Sequence, residues 1–169
     1  MTTSLYSFVD IYARALDTLD HVLTRAEAHA AEQGLDAASM LDWRLIEDMH
    51  PLRFQIRTVV NFAQTWAAVG AGVEAPAQIE EDLDLAGFHA AIAAAKAFLS
   101  TLTAEQFAGR DALEYGHTLG NGTTLTLPVE SWLKVFGLTN VHFHMSTAYG
   151  ILRARGVPLG KLDLFSTGL

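Results

Sequence analysis

Residues 140 to 156 read NVHFHMSTAYGILRARG, and the conformation of this stretch decides what the chain can be. Val141, Phe143 and Met145 alternate with His142, His144 and Ser146, as on a half-buried strand, where both histidines would share a face and grip one metal ion. A wider window gives the opposite answer. Leu133, Phe136, Asn140, His144, Thr147 and Ile151 recur at spacings of three and four, between Pro128 as a helix opener and Gly156 as a helix end. The spacing predicts a helix, and at about 100° per residue His142 and His144 then point about 200° apart and cannot hold the same ion. His144 shares the apolar stripe and is expected to face the core, while His142 lies with Tyr149 and Arg153 on the other side. Asn140, one turn before His144, adds a second polar group to the stripe. Buried polar groups need partners, whether each other, water, a metal or a ligand.

Working outward, Phe8, Ile11, Ala15, Leu19, Val22, Ala26 and Ala30 mark one long amphipathic helix from Ser4 to about Glu32, with Gly34 as its stop. Asp36 caps a short second helical piece expected over residues 37–49, and Pro51 suits the first turn of the next helix. That second long helix buries Leu52, Ile56, Val59, Val60, Ala63, Trp66 and Ala67, with Gly70 as the expected end. The alanine-rich residues 85–102 supply a third. Residues 103–109 suggest a single helical turn, and Gly120-Asn121-Gly122 between two alternating segments suggests a hairpin. Four long helices and one hairpin insertion before the last of them give an all-α four-helix bundle, one domain over residues 1–169.

Composition narrows the function. Hydrophobic residues form 50% of the 169 and charged ones 18%, which excludes disorder and leaves enough apolar surface for a core and for a homodimer interface. A net charge of −8 with eleven scattered Lys and Arg argues against nucleic-acid binding. The absence of cysteine removes thiolate nucleophiles and cysteine-based zinc sites. Asp10 and Arg14 interrupt any secretory h-region, and no apolar run approaches the roughly 20 residues of a membrane span. A soluble, cytoplasmic protein is expected.

No local motif names a reaction. The acidic run EEDLD at 80–84 lacks the alternating oxygen ligands and glycine of a calcium loop, Gly-Asn-Gly has no phosphate-loop context, and no nucleophile elbow occurs. His21, His29, His89 and His117 show no ligand spacing and read as surface or hairpin residues. Gln55 shares a helical face with Val59, Phe62 and Trp66, which makes it a buried partner for an inward histidine.

The stretch VHFHMSTAYGILRARGVPLGKLDLF resembles the carboxy-terminal motif of a bacterial family known as domain of unknown function 1993 (DUF1993), and LIEDMHPLRFQIRTVVNFA is similar to its second signature. The resemblance spans nearly the whole chain and places it near the DinB/YfiT superfamily of four-helix bundles, which are often dimeric and metal-binding. It implies a metal site of three histidines, one on the second helix and an H-x-x-x-H pair on the last. His144 matches the second of that pair, but Asn140 stands at the first position, and the second-helix ligand falls near Asp48 to Gln55, where His50 and Gln55 are available. The implied function is metal-dependent group transfer or hydrolysis, with zinc or nickel on His144 and His50 and a pocket including Asn140, Gln55 and Asp48. The alternative is a metal-free protein that binds a small molecule or serves structurally in stress, its metal site degenerate.

Overall fold

The computed structural model describes residues 4–165. Helix α1 (Ser7–Gln33) buries Phe8, Tyr12, Leu16, Leu19, Leu23 and Ala26 along one face and ends at Gly34, whose N–H turns back to the carbonyls of Ala30 and Ala31. Asp36 Oδ1 then accepts the Ala38 N–H at 3.0 Å and starts a 3-10 turn over Ala37–Asp42. The helical piece expected as far as residue 49 stops here. Leu45 and Ile46 are 44% and 60% exposed, so a continued helix would have no apolar face to bury, and burial is what stabilises short helices.

Helix α2 (Leu52–Ala71) follows Pro51. It ends two residues later than expected, at Gly72 with φ of 70°, where the N–H bonds back to Ala68 and Val69. Gly70 lies inside the helix for a different reason. A Cβ there would sit 2.6 Å from the Phe107 ring and 2.8 Å from Leu133, so the glycine permits close packing and not a chain reversal. Helix α3 (Leu85–Ser100) is capped by Asp84 Oδ1 on the Gly87 N–H at 2.7 Å and buries Phe88, Ile92, Ala95 and Leu99. One turn, α4 (Ala104–Phe107), carries a capping box between Thr103 and Gln106.

The hairpin forms where Gly-Asn-Gly predicts it. Strands β1 (Glu114–Thr118) and β2 (Thr124–Pro128) pair antiparallel, with Tyr115 opposite Leu127 and Thr118 opposite Thr124. Helix α5 (Val129–Ser131) continues without a break through a π-helical segment, Trp132–Gly137, into α6 (Leu138–Ala154). Residues 140–154 are therefore helical. The π turn coincides with a close approach: a Cβ on Gly137 would lie 2.5 Å from Tyr12 Oη and 2.9 Å from the Trp66 ring. π-Helical turns of this kind often mark functional regions.

The four long helices pack around one contiguous core. α1 and α2 touch each other and both remaining helices, so α3 and α6 occupy opposite flanks of the α1–α2 pair. The chain then returns to α1 through a 3-10 turn over Lys161–Phe165, where Asp163 meets His21 at 2.9 Å and Arg25 donates to the Pro158 carbonyl at 3.0 Å. No helix among the described residues is long and apolar enough to cross a membrane.

Candidate functional site

His144 reaches from α6 toward the start of α2, and a chain of two hydrogen bonds fixes its state. Gln55, only 2% exposed, donates from Nε2 to the His50 carbonyl at 3.0 Å, which leaves Oε1 as an acceptor facing His144 Nδ1 at 2.7 Å. An acceptor there requires the proton on Nδ1, so the lone pair is on Nε2. Nε2 has no hydrogen-bond partner among the described residues and is not sealed from solvent. Burial, reinforced by the neighbouring His50, pushes the His144 pKa down to about 4, so the ring is neutral at physiological pH.

Aromatic rings surround His144. Phe54, Phe62 and Phe143 stand 5.8, 6.3 and 5.1 Å from the His144 ring, and the His50 ring stacks on Phe54 at 3.8 Å. Phe143 is 56% exposed and forms the outer rim. The local sequence explains the arrangement: Gln55 and Phe62 are seven residues apart on α2 and so share its face toward α6.

The other candidates separate. Asn140 is half-buried but donates to the Phe136 carbonyl at 2.7 Å, one turn back on its own helix, and does not pair with His144. His142 is exposed and bonds the Leu138 carbonyl, diverging from His144 as the helix dictates. Asp48 is exposed in the turn before α2 and has no hydrogen bond or ion pair among the described residues. His50 is exposed at the recess by way of its stacked ring and its carbonyl.

Whether these residues suit a divalent metal follows from their donors. His144 offers Nε2 and His50 a ring nitrogen, but Gln55 Oε1 already accepts a hydrogen bond, and Asn140 contributes only an amide. A catalytic zinc wants three strong protein ligands and an open position. Among the described residues no group of three or more His, Asp or Glu could share an ion. The set does not fit a tightly held zinc or nickel.

Two arrangements escaped the sequence reading. His89 on α3 bridges Asp20 and Glu27 of α1 at 2.6 and 3.2 Å, partners 69 and 62 residues away that no local spacing reveals. His117 of β1 packs against Trp66, Trp132 and Phe136. Here a signal existed: Phe62 and Trp66 on α2, and Trp132 and Phe136 on the last helix, are aromatic pairs one turn apart.

The family model for a domain of unknown function (DUF1993) matches residues 5–165. The chain belongs to the DUF1993 family. Among solved structures, this DUF1993 chain is similar to a DinB family member protein from Shewanella denitrificans, with 28% identity and a TM-score of 0.85. The similarity covers 95% of this chain and 90% of that one, which sets the DUF1993 bundle in a DinB-like frame. No curated protein matches.

Proposed function

We propose that this DUF1993 protein binds a small, largely apolar molecule in the His144 recess without a metal, the ligand donating a hydrogen bond to His144 Nε2. One observation carries the reading: the Gln55 relay holds a neutral imidazole with its acceptor nitrogen uncommitted inside a ring-lined recess. An acceptor in an apolar setting selects hydroxyl, phenol or thiol donors and disfavours carboxylates, which need donors in return. With a pKa of about 4 the ring is too weak a base to hold a proton taken from such a group at neutral pH, so it binds by accepting a hydrogen bond.

The test combines metal content and ligand response on untagged protein. Plasma mass spectrometry should find well under one equivalent of zinc or nickel per chain, unchanged in His144→Ala. Phenol, followed by NMR of the His144 ring, should bind saturably and lose that binding in His144→Ala. One equivalent of metal that disappears with His144 would overturn the reading in favour of metal-assisted group transfer or hydrolysis.

A further inference from the structure

A second ring cluster lies beyond Phe62 and Phe136, and its occupant is unsatisfied. Trp66 and Trp132, both fully buried, stack with centroids 5.0 Å apart and planes within 6°. Phe136 stands across both at 5.3 and 5.2 Å. The fourth ring belongs to the hairpin: His117 lies 5.1 Å from Trp66 and 5.5 Å from Trp132, at 73° and 75° to them. Near-equal distances put the imidazole beside the indole pair and not on the outer face of either. Phe136, 6.4 Å away, bounds the same notch.

Hydrogen bonding distinguishes the two indoles. Trp132 Nε1 donates to the Tyr115 carbonyl at 2.8 Å. Trp66 Nε1 is sealed from solvent and has no acceptor, the one buried side-chain polar atom so placed among the described residues. A buried indole N–H ordinarily finds a partner, and one without a partner calls for an explanation. The imidazole beside the indole pair has no hydrogen bond among the described residues either. His117 thus packs against the indole pair while the Trp66 N–H goes unmet.

The hairpin that delivers His117 is also the part of the fold best able to withdraw it. Among the described residues β1 and β2 pair only with each other, they are mostly exposed, and a lone two-stranded hairpin is marginally stable. Its base is held by the Val129 N–H on the Leu113 carbonyl at 2.8 Å and the Glu130 N–H on the Asp111 carbonyl at 3.1 Å. We propose that the notch between Trp66, Trp132 and Phe136 is a binding site for a small neutral nitrogen heteroaromatic ring, which displaces His117 and accepts the Trp66 N–H on a ring nitrogen. His117 is then a tethered competitor, and the hairpin is the lid that carries it. The site is separate from the recess at His144 and stands or falls without it.

Imidazole is the probe, titrated into the untagged full chain at about pH 8, where it is largely neutral. Binding is followed by near-ultraviolet circular dichroism of the indole pair and by proton NMR of the His117 ring. Wild-type protein should bind saturably, with the His117 signals moving toward those of an exposed histidine. His117→Ala should bind roughly tenfold tighter once the competitor is gone, and Trp66→Phe added to it should weaken binding about fivefold, the effect of one hydrogen bond. His144→Ala should change nothing. Failure of both wild type and His117→Ala to saturate would overturn the proposal, as would equal affinity with and without the Trp66 N–H. Loss of binding in His144→Ala would also overturn it and assign the imidazole to the other recess. If His117→Ala does not fold, amide exchange on wild type decides: hairpin amides that exchange faster with imidazole present support displacement, and unchanged or slower exchange overturns it.

Discussion

Two half-buried histidines on opposite flanks of the bundle have their pKa values moved in opposite directions. His89, on α3, has a carboxylate on each nitrogen, Asp20 at 2.6 Å and Glu27 at 3.2 Å. Burial works against its charged form, but the Asp20 hydrogen bond and the charges of Asp20 and Glu27 outweigh it and raise its pKa. His144, on α6, has a neutral amide on one nitrogen and, among the described residues, no hydrogen bond on the other, and burial brings its pKa down to about 4. Desolvation penalises both ions, more heavily at the more deeply buried His144, and only His89 has carboxylates to repay it. The α1–α3 side therefore favours the charged form of its histidine, while the α2–α6 side holds one neutral and available.

Gln55→Glu should make the two sites alike, and with the largest effect. A carboxylate in place of the amide faces His144 Nδ1, and the ring's pKa should rise from about 4 by roughly two units or more, read by NMR titration. An unmoved value would show that depth alone keeps His144 neutral and would break the comparison. Gln55→Leu comes next. It strips the partner from His144 Nδ1–H and should cost about 2 kcal/mol in urea unfolding, since an unmet buried donor loses its full solvation.

The comparison also predicts two limbs in the stability-pH curve. His144 has a folded pKa below its unfolded value, so between about pH 6.5 and about pH 4 the unfolded chain binds the extra proton. Stability is present above that window and falls as the pH drops through it. His89 has the reverse sign: its folded pKa is raised, so its contribution is whole below the ordinary imidazole value and is lost as the pH climbs through the folded one. Thermal unfolding across pH 4 to 9, on the order of half a unit apart, should show both limbs, and Gln55→Glu should remove the acid one.

These residues also show how far a sequence can be read. Helical periodicity placed His144 inward and Gln55 on a buried face, because both follow from local spacing. It left the partner of Asn140 open among His144, water, a metal or a ligand, whereas the amide turns back to the Phe136 carbonyl, since a side chain that can bond its own helix one turn earlier needs no distant partner. Gly70 looked like a helix end because glycine ends helices, but its use here is contact with Phe107 and Leu133, two residues from elsewhere in the chain. The π segment and the Asp20 and Glu27 clasp on His89 also depend on tertiary neighbours. Local chemistry was legible; pairings across the bundle were not.

The smallest effects test the clasp itself. Asp20→Asn should lower the His89 pKa and cost about 1 kcal/mol near pH 6, because the 2.6 Å contact loses its charge. Glu27→Gln removes charge at the longer contact, 3.2 Å, and should cost about half as much. Both losses should vanish above the folded pKa of His89, where the ring is neutral and neither carboxylate has an ion to hold. A cost that stayed constant with pH would mean that Asp20 and Glu27 act by packing alone, and His89 would then be neutral like His144. The difference between the flanks would then lie in geometry and not in charge.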